Sequence, residues 1–139
     1  MSSYAGDLTP AQAYERLQTD ANAKLIDVRT QAEWVYVGVP DLSAAGKQPI
    51  LVQWQTFPAM ARNEAFADQL KAQGIAPGDT LLFLCRSGVR SKAAAELMTQ
   101  LGYAASYNIT DGFEGPLDGS RHRGAAGGWK ASGLPWAQG

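Results

Sequence analysis

Residues Thr80-Leu81-Leu82-Phe83-Leu84 form an apolar run with no polar alternation, and the polar loop Cys85-Arg86-Ser87-Gly88-Val89-Arg90 follows at once. A strand that is apolar at every position needs cover on both faces, which is the habit of parallel sheets joined through helices. The flanking chain supplies the helices. Thr9-Pro10-Ala11-Gln12 is a helix start, with Thr9 as cap, Pro10 at the first helical position and Gln12 completing a capping box. Ala13, Leu17 and Tyr14 then make an inward stripe as far as Thr19.

Lys24 to Val28 reads as a second buried strand, with Asp27 and Arg29 at its carboxyl end. Gln31 to Trp34 is expected to form a short helical turn, Pro49 to Trp54 a strand, and Gln55 to Arg62 an irregular stretch. Asn63 is placed to cap a helix reaching Gln73, with Phe66 and Leu70 inward and Gly74 ending it. After the Cys85 loop a helix is expected through Leu101, with Val89, Ala93, Leu97 and Leu101 facing the core. Ala104 to Ile109 reads as another strand, and Trp129-Lys130 belongs to a short last helix. Strands alternating with helices make an α/β domain with a mostly parallel sheet. Sites in such sheets form at the carboxyl ends of strands, where both Asp27–Arg29 and Cys85–Arg90 fall.

Length and composition narrow the function classes. The 139 residues suit one domain, residues 1–139. The net charge of −1 and the lack of a basic cluster argue against a nucleic-acid partner. One cysteine and one histidine, His122, leave no disulfide framework and little for a metal. No apolar stretch approaches a membrane span, and Met1 to Asp7 has no leader-like pattern. A cytoplasmic protein with a reduced thiol is the expectation.

The Cys85 loop carries the chemistry. A short loop between strand and helix must curl, and Gly88 permits the positive φ this needs. Curled backbone turns successive amides inward as an anion-binding nest, and the helix N-terminus adds partial positive charge. Arg86 and Arg90 bring two full charges. Cations and helix N-termini stabilise thiolates, so Cys85 is expected to serve as an anionic nucleophile. A cysteine after Leu-Leu-Phe-Leu is also an ordinary small core residue. Two arginines, a serine and a glycine within the next five residues make a poor core and favour the chemical reading.

Four segments in order resemble the rhodanese-like family, the single-domain sulfurtransferases. They are Leu25-Ile26-Asp27-Val28-Arg29 with Glu33-Trp34, then Cys85 through Arg90, then Gly102-Tyr103 with Asp111-Gly112-Phe113, and last Gly128-Trp129-Lys130 with Gly133-Leu134-Pro135. The resemblance covers nearly the whole chain. It implies a doubly wound α/β fold with a five-stranded, mostly parallel sheet and helices on both faces. It implies that Cys85 is the nucleophile, with the loop amides of Arg86, Ser87, Gly88, Val89 and Arg90 around its charge. It also implies a small anionic sulfur donor such as thiosulfate, a persulfide on Cys85, and cyanide, a thiol or a protein as acceptor. Arg86 and Arg90 would bind the donor's anionic end. No cofactor or metal is called for, since the cysteine holds the transferred sulfur.

The six-residue loop is one residue shorter than that of the related dual-specificity phosphatases, which lowers a phosphatase or arsenate reductase reading. A non-catalytic docking module is the third alternative. Val37-Gly38-Val39-Pro40-Asp41-Leu42 departs from the family's usual Gly-His-Ile-Pro-Gly-Ala, and Ser43 to Asn63 is long for a minimal member. Both segments bear on which acceptor is used.

Asp27 and Arg29 read first as a structural pair anchoring loops at the sheet end, and second as substrate-binding groups. Trp34, Trp129 and Trp136 read as core or tail packing. Trp54 has two readings, core or pocket rim. His122, between Arg121 and Arg123, reads first as a solvated loop residue, since a mechanism starting from a thiolate needs no base; a base or metal ligand, and a cluster that steers anionic donors, are the alternatives.

Overall fold

A computed structural model describes residues 4–56, 61–86, 88–115 and 128–137. The chain enters on a short strand, β1 (Gly6–Leu8), and turns into helix α1 (Pro10–Thr19). The Thr9 side chain accepts from the Gln12 amide and the Gln12 side chain accepts from the Thr9 amide, so the capping box is complete. Strand β2 (Ala23–Asp27), helix α2 (Gln31–Tyr36) and a two-residue strand β3 (Val39–Pro40) follow. A single 3₁₀ turn at Ser43–Ala45 leads to strand β4 (Ile50–Leu51). The chain continues through β5 (Gln55–Thr56), β6 (Ala61–Arg62), helix α3 (Phe66–Ala72) and strand β7 (Thr80–Leu84). Helix α4 (Val89–Gln100), strand β8 (Ser106–Ile109), helix α5 (Gly128–Ala131) and strand β9 (Trp136–Ala137) complete it.

Five strands form one parallel sheet in the order β1-β8-β7-β2-β4, with β7 in the middle. Every residue of β7 is buried, as its unbroken apolar sequence requires. Side chains on a strand alternate between faces. Leu81, Phe83 and Cys85 join Phe66 and Leu70 of α3 and Ala94, Ala95 and Met98 of α4. Leu82 and Leu84 join Ala13 and Leu17 of α1 and Trp129 of α5. The result is the α/β, doubly wound sheet with helices on both faces expected above.

Four expectations need correction, the last of them at α4, and one strand carries no sequence signal. The N-terminal strand β1 was not foreseen, because Gly6-Asp7-Leu8 has no apolar run; it holds by pairing with Tyr107, Asn108 and Ile109. The strand expected over Pro49 to Trp54 is regular only at Ile50–Leu51. Its backbone nonetheless continues along β2, with the Val52 and Trp54 amides donating to the Asp27 and Val28 carbonyls. Gln55 to Arg62 is not wholly irregular: Gln55–Thr56 pairs antiparallel with Ala61–Arg62. Helix α3 begins at Phe66 rather than at Asn63, whose carboxamide oxygen instead accepts from the Ala65 amide in a turn.

The correction at α4 concerns the site directly. Its fully buried residues are Ser91, Ala94, Ala95 and Met98, while Val89 is 77% exposed and Leu101 48% exposed. Ala93 and Leu97, expected inward, are partly buried and pack at the edge of the same cluster, and the centre of the buried face lies about 100° from the expected one. The inward face is built mainly from small residues, and it brings Ser91 under the end of β7.

Candidate functional site

Cys85 leaves β7 with the same facing as Leu81 and Phe83, so its side chain points to α4. The next described residue of the loop that meets it is Gly88, the N-cap of α4, at φ 108°. This is the left-handed region that only glycine occupies without strain. In that conformation the Gly88 amide donates to Cys85 Sγ at 3.0 Å. Ser91 Oγ, one turn along α4, lies 3.3 Å from the same sulfur. Ser91 Oγ is also 2.5 Å from Asn108 Oδ1 on β8. The thiol is 1% exposed, yet it sits between an amide and a hydroxyl.

A second backbone segment clamps the loop from below. The Phe113 amide donates to the Cys85 carbonyl at 2.8 Å, and the Glu114 and Gly115 amides donate to the Arg86 carbonyl at 3.0 and 3.1 Å. The approach requires Gly112, at φ 61°: a Cβ there would stand 2.3 Å from the Cys85 carbonyl oxygen and 2.6 Å from the Arg86 carbonyl carbon.

Arg90 lies in the first turn of α4 with its guanidinium in a two-pronged pair with Glu33, at 2.8 and 2.9 Å. Glu33 is itself fixed by α2, because its Oε1 also accepts from the Thr30 amide and hydroxyl. Burial pushes the Glu33 carboxyl up, but the hydrogen bonds and charge of Arg90, with the Thr30 donors, outweigh it and hold the group below its ordinary value. The mirror effect acts on Arg90. Burial pulls its value down, Glu33 more than compensates, and the nearby Cys85 and Asp27 add to the rise.

Asp27 and Arg29 form a separate pair. Both are 0% exposed; Arg29 Nη2 donates to Asp27 Oδ2 at 2.6 Å and to the Gly38 carbonyl at 2.7 Å. The guanidinium carbon lies 4.3 Å from the centre of the Phe113 ring. This pair ties the end of β2 to the segment after α2 and to the segment beneath the Cys85 loop, in the anchoring role read from the sequence.

The STR4 middle domain family matches residues 6–139. The chain belongs to that family. Relatives of this STR4-type chain include an uncharacterized protein of Rickettsia conorii, 39% identical over 130 residues that cover 94% of this chain and 95% of that one. The chloroplastic rhodanese-like domain-containing protein 4 of Arabidopsis thaliana is 31% identical over 127 residues, covering 91% of this chain and 24% of the plant protein. Among solved structures, Rv0390 from M. tuberculosis superposes with a TM-score of 0.90 at 49% identity, covering 99% of this chain and all of that one. A polysulfide-sulfur transferase homodimer from Wolinella succinogenes shares the fold, with a TM-score of 0.64 at 22% identity over 96% of this chain and 78% of that one. The fold is therefore rhodanese-like.

The other residues singled out in the STR4-type sequence fall as follows. Arg86 is exposed at the loop, and Val89 is exposed beside it. Ser87 lies outside the described residues, as do Arg121, His122 and Arg123. Trp54 is core rather than rim: it is 9% exposed and meets the Phe66 ring edge-on at 5.0 Å. Its outer edge, with Arg62, Glu96 and Gln100, lines a cleft of about 240 Å³ on the flank of α4, away from the Cys85 loop. Trp129 is core, and Trp136 packs in the tail at 41% exposure. Among the described residues no three His, Cys, Asp or Glu side chains gather as a metal site, and no helix is long and apolar enough to cross a membrane.

Sequence reasoning gave no role to Ser91 or Asn108. The available signal was polarity inside buried elements: Asn108 precedes Ile109 in β8, and Ser91 follows Arg90 on the sheet side of α4. Buried polar side chains need partners, and these two find each other and the sulfur.

Proposed function

We propose that the chain is a sulfurtransferase in which Cys85 carries sulfur as a persulfide. The observation that carries this reading is the Gly88 amide donating to Cys85 Sγ at 3.0 Å, at the N-terminus of α4 and the carboxyl edge of a parallel sheet. An amide aimed at sulfur from a helix start stabilises negative charge there. The name of the Wolinella relative, a polysulfide-sulfur transferase, supports the same chemistry.

In the first half-reaction the Cys85 thiolate attacks the outer sulfur of a sulfane donor such as thiosulfate. A bond forms between the two sulfurs, the donor's S–S bond breaks, and sulfite leaves with the bonding electron pair. The product, Cys85–S–S⁻, carries the same single charge as the thiolate it replaces. In the second half-reaction an acceptor, cyanide or a thiolate, takes the outer sulfur and returns Cys85 as thiolate. Arg86, exposed at the loop, receives the donor's anionic end. Arg90 contributes its positive field, with Glu33 holding it in place. The Gly88 amide completes the surround of the sulfur.

The direct test is sulfur transfer from thiosulfate to cyanide, read as thiocyanate. Turnover by the wild type that disappears in Cys85→Ser supports the reading. A Cys85→Ser variant that turns over at the wild-type rate removes it. A second reading, a rhodanese-like docking module without chemistry, draws on the 1% exposure of Cys85 and the prior engagement of Arg90 by Glu33. Iodoacetamide separates the two: a native Cys85 that resists labelling favours the module.

A further inference from the structure

We propose that Asp7, Asn108 and Ser91 form a positioning relay that opposes the anionic state of Cys85 and so sets its reactivity. The inference rests on the reading of Cys85 as a nucleophile and adds a control to that site.

The relay follows from counting hydrogens. Asp7, exposed on β1, accepts from Asn108 Nδ2 at 3.1 Å and from the Tyr4 hydroxyl at 2.8 Å. An ionised carboxylate only accepts, so Asp7 turns the Asn108 amide with its nitrogen outward and its oxygen inward. Asn108 Oδ1 also only accepts, so Ser91 Oγ must donate to it, at 2.5 Å. Serine has one hydroxyl hydrogen, and that hydrogen is now committed. Cys85 Sγ, 3.3 Å from Ser91 Oγ, therefore meets a lone pair.

A neutral thiol suits this arrangement, because its S–H can donate to Ser91. An anionic sulfur does not. For Ser91 to donate to the sulfur, its hydroxyl must turn away from Asn108 and leave Oδ1 without a partner. Ser91 is 0% exposed and Asn108 is 5% exposed, so water cannot readily take that place. An unpaired buried acceptor is unfavourable. The Gly88 amide on one side thus favours the anion, and the relay on the other side opposes it. The anchor of the relay is on the edge strand of the sheet, in a segment the sequence did not mark as a strand at all.

Arg90 on α4 interacts with the sulfur and pairs with Glu33 of α2; the segments that meet at the loop also carry Asp27 and Arg29 at the end of β2, Arg86 in the loop and Asp111 after β8. None of these is altered in the variants compared; Asp7→Ala does remove a carboxylate charge, and the Ser91→Ala background separates that from the relay, because a pure charge effect persists there.

The experiment follows iodoacetamide alkylation of Cys85 in the full chain against pH, each rate divided by its own high-pH plateau so that access cancels. Asn108→Leu removes the acceptor and frees the Ser91 hydroxyl for the sulfur. Its profile is expected to move about one pH unit lower, an increase of about tenfold on the rising limb. Asp7→Ala lets the Asn108 amide turn over, and about a threefold increase is expected. Neither increase should survive in a Ser91→Ala background, because the hydroxyl that delivers it is gone. Should Asn108→Leu fail to fold, Asp7→Ala, at an exposed position, carries the test. A folded Asp7→Ala within twofold of wild type overturns the relay, and so does an equal increase with Ser91 removed. Alkylation needs no sulfur donor. A shifted profile without sulfur transfer keeps the relay and removes the sulfurtransferase reading; transfer with an unmoved profile does the reverse.

Discussion

Two arginine–carboxylate pairs lie near the Cys85 loop, and burial separates their roles. Asp27–Arg29 is sealed at 0% exposure, and its arginine also holds the Gly38 carbonyl and lies over Phe113. Glu33–Arg90 is 15–18% exposed and stands in the first turn of the helix that faces the sulfur. The first pair fixes where the chain runs. The second fixes where a positive charge sits. Both carboxylates lie in the same short stretch, Asp27 to Glu33, so one segment of sequence supplies both the anchor and the electrostatics.

The contrast is tested most strongly by breaking the sealed pair. Arg29→Met leaves Asp27 charged and unpaired in the interior, and a loss of about 3–5 kcal/mol of folding stability is expected in urea unfolding. A loss under 1 kcal/mol would mean that water reaches Asp27 and that the pair is not sealed. Gly112→Ala comes next. Its Cβ would overlap backbone atoms of Cys85 and Arg86, so the clamp beneath the loop must shift. Backbone distortion of this kind costs about 1–3 kcal/mol, and alkylation of Cys85 should change with it. Unchanged stability together with unchanged Cys85 reactivity would show that the clamp does not position the loop.

The partly exposed pair should give a smaller and pH-dependent loss. Glu33→Gln is expected to cost about 1.5–3 kcal/mol at neutral pH, the range for hydrogen bonds to charged groups. Because Arg90 holds the Glu33 carboxyl below its ordinary value of 4.5, the stabilisation is present above that pH. It is lost as the pH falls through the lower folded value. The gap between wild type and Glu33→Gln should therefore narrow only on the acid side of 4.5. A gap that stays constant into strong acid would remove the ionic part of the account. The smallest effect belongs to Val89, which is 77% exposed. Val89→Ser should stay within about 0.5 kcal/mol of wild type, which would confirm the corrected face of α4.

The same residues show what the sequence made legible. The unbroken apolar run of β7, the capping box of α1 and the glycine at Gly88 each impose one local outcome, and each outcome is present. The face of α4 was misread because large apolar residues were expected inward. Packing instead selected Ala94, Ala95 and Met98, with Ser91 turned to the sulfur. Strand β1 carries no local signal, since its pairing with β8 spans about a hundred residues and depends on the finished sheet. Within the site, Cys85 and the charges flanking it were visible because arginines beside a core cysteine are out of place. The pairing of Arg90 with Glu33 and the line from Ser91 to Asp7 were not, because each joins separate elements.

The central claim is that Cys85 holds transferred sulfur. The most direct measurement is the intact mass of the full chain after brief exposure to excess thiosulfate. The account predicts a gain of about 32 Da, mapped to Cys85 and reversed by dithiothreitol. An unchanged mass, in a chain whose Cys85 still labels with iodoacetamide, would contradict it.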